Sequence, residues 1–313
     1  MNVRLAASSQ SPRFTLVTDM RALGIALALL AGLTLQPSHA SDETPATVDT
    51  AQQRSYHSAL TDDGRYRVST RFRNFDGEHL NLDFTLASAA SDASLREFGV
   101  SVAELDALLD ACRQRKDCDQ AEFDRQTTRY YRERALRLDQ RAGEMPRLSV
   151  DVARVVQRNR ERVKPVAVAL RRLAQEQGRD TAWTVEAAMA LVQSGLLYRQ
   201  PETWKGERKI LGFYPPPLAL TSGYGDCDTK SALLAAILQN LTPTPIVGVK
   251  IPQHYLLALA GTPRSGQAYV VHEGRAFVLV EAAGPAMRLP GHVAPKTLAA
   301  LERPANLRID PMI

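Results

Sequence analysis

Residues 225–238 constrain the fold of this chain most strongly, because they join a glycine turn to an apolar run. Asp226 stands just before the run, and its carboxylate suits the N-cap position of a helix. The pattern therefore predicts a helix that begins at Cys227 and continues for about three turns.

The position of Cys227 at this helix start bears on its chemistry. The positive end of the helix dipole favours the thiolate form of a cysteine there. The neighbouring Asp228 raises the thiol pKa instead, so an imidazolium partner is needed for a reactive thiolate. A lone cysteine in this position is otherwise a small buried hydrophobe. Asp226 and Asp228 lack the spacing of metal ligands, so we predict no metal site.

The first 40 residues have the features of a secretory signal peptide. A basic residue, Arg21, precedes an apolar run at 22–33, and a small-x-small cleavage site ends at Ala40. We therefore expect a periplasmic or secreted protein, with translation starting at Met1 or at Met20. The apolar run, about a dozen residues long, is short for a bilayer, and a retained membrane anchor is the alternative reading.

Charge and hydropathy exclude two classes of partner. The chain carries 39 basic and 34 acidic side chains, for a net charge of +5. Basic and acidic residues alternate along the predicted helices without forming a basic stripe, so we expect no nucleic-acid binding. No later apolar run reaches membrane-spanning length, so we expect no stable membrane insertion after signal cleavage.

Three cysteines follow the predicted signal peptide. Cys112 and Cys118 flank a polar loop of five residues, and their proximity predicts a disulfide in an oxidising compartment. Two buried free thiols are the alternative. If the pair forms, Cys227 is the single free thiol of the exported chain.

The chain divides by pattern into four parts: a signal peptide at 1–40, a mobile leader at 41–62, an N-terminal region at 63–180 and a C-terminal domain at 181–313. In the N-terminal region, alternating residues at 65–72 and 80–86 predict a β-hairpin. Ser101 and Glu104 form a capping box that opens a helix. Further helices are predicted at 119–141 and from 149 to 177, with a kink or break at Pro165.

The C-terminal domain reads as helices followed by an antiparallel sheet. A helix is predicted at 183–197, and the proline triplet at 215–217 suits an extended loop that crosses a cleft. After the Cys227 helix, strands are predicted at 246–251, 255–260, 268–271 and 276–281. These elements give an α+β fold class.

Three residues of this domain could form a catalytic constellation. Cys227 begins a helix, His254 begins a strand and Glu281 ends a strand. A thiolate, an imidazole and a carboxylate that orients the imidazole are the groups that nucleophilic acyl chemistry requires. His254 and Glu281 meet only if strand 276–281 runs antiparallel to strand 255–260. A simple meander would instead place Glu273 near His254.

The segment from Gly225 to Ser231 resembles the start of the cysteine-bearing helix in the transglutaminase-like cysteine hydrolase superfamily, in its bacterial and archaeal Gly-Asp-Cys branch. The resemblance covers residues 184–290 and includes a Tyr-Pro element at 214–215, the histidine strand from His254 and the acid strand ending at Glu281. It implies a papain/transglutaminase-like core and amide chemistry without a cofactor. Two departures are the glutamate, where many relatives have aspartate, and Ala282, where many have threonine.

These observations predict an exported hydrolase of amide or peptide bonds, with protein or peptide substrates that include those of the cell envelope. The backbone N–H of Cys227 and the side chain of Gln193 are candidates to stabilise the oxyanion. We expect hydrolysis in preference to acyl transfer, because nothing marks an acceptor site. The alternative is an inert binding module of the cell envelope that retains the fold.

Overall fold

The computed structural model describes residues 55–139, 146–303 and 307–312. The predicted signal peptide and most of the predicted leader lie outside these residues. The described residues form an α+β fold in which helices pack on antiparallel sheets, as the sequence predicts.

The helices and strands of the described residues are as follows. The strands are β1 (Tyr56–Leu60), β2 (Arg65–Arg73), β3 (His79–Ala87), β4 (Val100–Ser101), β5 (Leu136–Asp139), β6 (Arg147–Val150), β7 (Leu197–Tyr198), β8 (Trp204–Lys205), β9 (Arg208–Lys209), β10 (Tyr224–Gly225), β11 (Ile246–Ile251), β12 (His254–Ala260), β13 (Tyr269–His272), β14 (Arg275–Val280) and β15 (Arg308–Met312), and the helices are α1 (Ser88–Arg96), α2 (Val102–Arg113), α3 (Gln120–Glu133), α4 (Val152–Asn159), α5 (Lys164–Glu176), α6 (Thr181–Ala190), α7 (Pro216–Ser222), α8 (Cys227–Leu241) and α9 (Pro295–Leu301).

The N-terminal hairpin is confirmed, since β2 and β3 pair antiparallel along their whole length. Strand β1 adds to this hairpin as a third strand, so residues 56–60 are not part of a mobile leader as predicted. The hydroxyl of Tyr56 donates a hydrogen bond of 2.5 Å to the carbonyl of Leu220, which ties the strand to the C-terminal region.

The helices of the N-terminal region agree with the sequence in part. The Ser101 hydroxyl accepts the Glu104 backbone N–H at 3.4 Å, and α2 begins there as predicted. Helix α3 ends at Glu133 instead of continuing to 141. The chain turns at Ala135, whose φ is 53°, and continues into β5, which pairs with β6. Tertiary pairing has therefore overridden the helical pattern of this segment.

Cys112 and Cys118 are paired as predicted, with their sulfur atoms at disulfide-bonding distance and their Cα atoms 5.3 Å apart. Cys227 is the free cysteine among the residues that the structure describes. Within the same residues, no helix is long and apolar enough to cross a membrane.

Two further predictions need correction. Helix α6 ends at Ala190 and passes through a π-helical turn (Leu191–Gly195) instead of continuing to 197. The proline triplet forms no cleft-crossing loop. Pro216 and Pro217 occupy the first turn of α7, where a missing N–H costs nothing, and residues 214–220 are buried.

The C-terminal sheet has the strand order β13-β14-β12-β11-β15, with all neighbours antiparallel. One face packs on the buried helix α8 through side chains such as Tyr255, Leu257 and Val280. The other face carries a second apolar cluster that includes Leu256 and is covered by α9. The sheet therefore has two buried faces, which explains its nearly continuous apolar strands.

The larger apolar cluster joins residues on both sides of the boundary predicted at 180–181. Val68 and Phe72 from the hairpin, Leu170 from α5 and Leu234 from α8 are all fully or almost fully buried in it. The division at this boundary stays a prediction, but the two parts share one core.

Gly248 in β11 provides a test of this packing. A Cβ atom there would lie 1.9 Å from the Tyr255 hydroxyl, which donates to Asp310 at 3.0 Å. We expect Gly248→Ala to lower the free energy of unfolding by about 1–3 kcal/mol through overpacking. Gly261→Ala is the control, because nothing lies within 4 Å of its Cβ position, and we expect a change below about 0.5 kcal/mol. Urea unfolding of both variants measures the difference. Equal free energies of unfolding for the two variants would contradict the close packing of Gly248 against Tyr255.

Candidate active site

The start of α8 is built by two residues that precede Cys227. The Asp226 carboxylate accepts the Thr229 backbone N–H at 3.1 Å, so Asp226 is the N-cap that the sequence predicts. Gly225 is required for close packing, because a Cβ there would lie 2.4 Å from the Thr229 methyl group. The absence of a side chain at Gly225 thus lets the backbone before α8 pack closely against Thr229 in the first turn of the helix.

His254 and Glu281 are adjacent, as the antiparallel arrangement predicts. Strand β14 runs antiparallel to β12 with Val280 opposite Leu257, which brings the end of one strand to the beginning of the other. The His254 Nε2 atom lies 3.0 Å from both carboxylate oxygens of Glu281, a residue only 6% exposed. The alternative, Glu273, lies in the turn between β13 and β14 and is 85% exposed.

This contact sets the roles of the two ring nitrogens. An Nε2 that donates its proton to Glu281 leaves Nδ1 as the basic nitrogen of the neutral ring. The structure gives Nδ1 no hydrogen-bond partner within the described parts of the chain. In that tautomer, the ring of His254 presents Nδ1 as a nitrogen that can accept a proton.

The Cys227 sulfur lies beside the first residues of β12. It accepts the backbone N–H of Tyr255, the residue that follows His254, and its thiol donates to the Asp228 carboxylate at 3.3 Å. In the described residues, no hydrogen bond joins the sulfur to the His254 ring. The structure thus brings His254 and Glu281 into contact and puts the Cys227 sulfur beside the residue that follows His254, with the thiol hydrogen-bonded to Asp228.

Burial raises the pKa of the Cys227 thiol to about 12, with further contributions from the negative charges of Asp228 and Asp226. The Tyr255 N–H acts in the opposite direction. Asp228 therefore opposes thiolate formation, as the sequence analysis expects. At neutral pH the thiol is protonated unless a cation lies next to it.

Lys230 and Ser231 join α8 to the segments that carry the other site residues. The fully buried Lys230 ammonium donates to the carbonyls of Leu196 and Ala283, both at 2.8 Å. The Ser231 hydroxyl donates to the carbonyl of Tyr255 at 3.1 Å. Burial lowers the pKa of Lys230 to about 7, while the charge of Glu281 acts against this shift. No role was predicted for either residue.

Gln193 is close to the site, but its contacts do not suit the role that was predicted for it. Its side-chain NH₂ donates to the carbonyls of Glu281 at 2.7 Å and Arg288 at 3.0 Å, and its side-chain oxygen accepts the Arg288 N–H at 2.8 Å. Both N–H groups are therefore occupied, and the residue is fully buried. Gln193 holds the acid strand and the loop after it, so its contacts conflict with oxyanion stabilisation.

Tyr198 is a site residue that sequence reasoning missed. It lines a cavity of about 550 Å³ together with His254 and Glu281, and in the β7–β10 pairing it lies opposite Gly225. Burial, together with the negative charges of Cys227, Asp226, Asp228 and Glu281, raises its pKa to about 12. Its phenol therefore stays protonated as a hydrogen-bond donor. A tyrosine on a two-residue strand gives no sequence signal.

A metal centre is not formed by the residues that the structure describes, since they contain no group of three or more histidine, cysteine or acidic side chains positioned for an ion. Asp226 in particular is engaged as the helix cap.

No family model, no curated protein and no solved structure matches this chain.

The thiol environment can be tested with Asp228→Asn. This change removes a negative charge beside the sulfur, so the thiol pKa falls and the thiolate fraction rises at any pH below that pKa. A nearby charge at a protein surface is worth about 1–4 kcal/mol, so we expect iodoacetamide to alkylate Cys227 at least about fivefold faster at pH 8. Asp92→Asn, at an exposed position of α1, is the control. An unchanged or slower rate for Asp228→Asn would refute the conclusion that the Asp228 charge raises the thiol pKa.

Proposed function

We propose that this protein is an exported cysteine hydrolase with a papain/transglutaminase-like core, and that it cleaves amide or peptide bonds. Cys227 is the nucleophile, His254 the general base and acid, and Glu281 the residue that orients the imidazole. The observation that carries the proposal is the contact of Glu281 with His254 Nε2, together with a free cysteine whose pKa is affected by the backbone N–H of Tyr255, the residue after His254. The resemblance of residues 225–231 to the cysteine helix of the transglutaminase-like superfamily supports it.

The first half of the reaction forms a thioester. The Cys227 thiol gives its proton to His254 Nδ1, and the resulting imidazolium is stabilised by the Glu281 carboxylate. The thiolate attacks the amide carbon, a C–S bond forms and the carbonyl electron pair moves to oxygen. When the C=O bond re-forms, the C–N bond breaks and His254 protonates the leaving amine.

The second half consumes water. His254 takes a proton from the water molecule, the hydroxide adds to the thioester carbon, and collapse of the adduct releases a carboxylic acid and the Cys227 thiol. We favour hydrolysis over transfer to an amine, because nothing in the sequence marks an acceptor site and water is abundant.

The oxyanion needs donors that the protein already holds in place. The Cys227 backbone N–H is at the first position of α8, where no earlier carbonyl of the helix can accept it. We assign the second donor to the Tyr198 phenol in place of Gln193, because Tyr198 faces the cavity and remains protonated.

The thiol must exchange one partner before it can react. Its hydrogen bond to Asp228 competes with transfer of the proton to His254. Rotation about the Cα–Cβ bond of Cys227 carries the sulfur between its allowed rotamers, and we propose that the one that faces His254 is already populated in the free protein and is favoured further by substrate binding.

We place the protein in the periplasm or outside the cell, following the predicted signal peptide at 1–40. Its substrates are proteins or peptides of that compartment, including those of the cell envelope. The Cys112–Cys118 pair fits an oxidising compartment.

A second candidate function is an inert binding module of the cell envelope. The observations that favour it are a cysteine only 9% exposed, a thiol pKa of about 12, and a buried segment at 214–220 where an open groove had been expected. The short His254–Glu281 contact argues against it, because an inert site has no need of a buried carboxylate aimed at an imidazole.

The proposed pair can be tested by the pH profile of Cys227 alkylation. A thiolate stabilised by imidazolium reacts well below pH 9, whereas an isolated buried thiol reacts only as the pH approaches its pKa of about 12. We expect His254→Ala to slow iodoacetamide alkylation at pH 7 by at least about tenfold and to remove the acidic limb of the profile.

Glu281→Gln should reduce the rate by a smaller factor, since glutamine still accepts the Nε2 proton but cannot stabilise the imidazolium charge. His79→Ala, at an exposed position of β3, is the control for loss of a histidine elsewhere. Equal rates for wild type and His254→Ala across the pH range would favour the inert module.

A further inference from the structure

The cavity beside His254 and Glu281 has a lining that suits a short peptide. Its volume of about 550 Å³ is within the range of small-molecule sites in proteins. Most of its wall is made of small or apolar residues: Ile251, Pro252, Ala283, Gly284, Pro285, Ala286, Ala294 and Ala300. Such walls accommodate backbone and small side chains and do not select long charged ones.

Two cationic side chains interrupt this wall. Arg288 follows the acid strand, and Lys296 lies in α9; both line the cavity. Neither forms an ion pair or a side-chain hydrogen bond within the described ranges of the chain. Other arginines near the core behave differently, as Arg137 does when it binds both Asp151 and Asp310.

The charge balance of the cavity is therefore positive. Among the described residues that line it, Glu281 alone is acidic, and its carboxylate is engaged by His254. The backbone of Arg288 is fixed at the site, because its N–H and its carbonyl both bind the buried side chain of Gln193. A cationic side chain with no ion-pair partner among the described residues thus lines the same cavity as His254 and Glu281.

We infer that this cavity binds a carboxylate of the substrate through Arg288 and Lys296, so that the protein acts on amide bonds close to a free carboxylate. The inference rests on the proposed function, since it names the substrate class of the same site. A guanidinium binds a carboxylate through two parallel hydrogen bonds, and an ammonium adds a second charge. The carboxylate belongs to a peptide C-terminus or to an acidic side chain near the cleaved bond.

The inference can be tested by peptide binding to the full chain carrying Cys227→Ala, which removes the nucleophile. The probes are N-acetylated tripeptides of mixed sequence, prepared once with a C-terminal carboxylate and once with a C-terminal carboxamide. Retention after ultrafiltration is measured by mass spectrometry. We expect the carboxylate peptides to be retained at least about tenfold more strongly.

A third set of tripeptides, with a C-terminal carboxamide and glutamate as the last residue, separates the two sources of carboxylate. Retention of this set identifies a side-chain carboxylate as a ligand, and its loss assigns the site to the peptide C-terminus. Either result supports the inference when the carboxylate preference depends on Arg288.

Arg288→Gln should reduce the carboxylate preference to about threefold or less. Adding Lys296→Gln to this variant should reduce the preference further. Neither substitution removes a side-chain hydrogen bond or ion pair that joins these residues to the described part of the chain. Arg264→Gln, which lines a different cavity, is the matched control and should leave the preference unchanged. Equal retention of the carboxylate and carboxamide sets, retention of neither, or a preference that survives loss of both cations would overturn the inference.

Failure of the inference differs from failure of the proposed function. If the wild-type chain cleaves carboxylate and carboxamide peptides at equal rates, the carboxylate site is refuted and the hydrolase stands. If the carboxylate peptides bind through Arg288 but the wild-type chain never cleaves them, the hydrolase is refuted and the binding site stands.

Discussion

The arrangement of the site depends on a buried lysine. Lys230 lies in the first turns of α8 with no exposure to solvent, and its two hydrogen bonds reach the chain before β7 and the chain after β14. A buried ammonium is costly unless its protons have acceptors, so these two carbonyls are held where Lys230 requires them. Ser231, the next residue, ties the same helix to β12. Two adjacent side chains thus fix the cysteine helix against the histidine strand and the acid strand.

The electrostatics of the sulfur follow from this packing. The helix dipole favours a thiolate, yet burial and the two neighbouring aspartates outweigh it and keep the thiol protonated. The imidazole of His254 is the group that we propose to activate the thiol. Its ring is held by the buried carboxylate of Glu281. The same acidic neighbourhood keeps the Tyr198 phenol protonated and hence able to donate.

Sequence patterns predicted the elements whose signal is local. Apolar strands β11 to β14 appear within about one residue of their predicted bounds, and Asp226 caps α8 as predicted. Both predictions succeeded because these features depend on residues that are near in sequence. The meeting of His254 with Glu281 followed from the antiparallel order of β12 and β14. The contacts of Gln193 and Tyr198 could not be predicted, because their partners are distant in sequence. The end of α3 was missed because the helical pattern runs on through residues 136–139, which form β5 only by pairing with β6.

Acylation with p-nitrophenyl acetate shows whether Cys227 works as a nucleophile with His254. We expect an acetyl group to appear on Cys227 at pH 7 faster than on the same cysteine in the urea-unfolded chain, and water then to remove it as acetate. Intact mass and peptide mapping over time measure both steps. Acylation of the folded chain that is slower than that of the unfolded chain would show that Cys227 is an inert buried thiol and not a nucleophile.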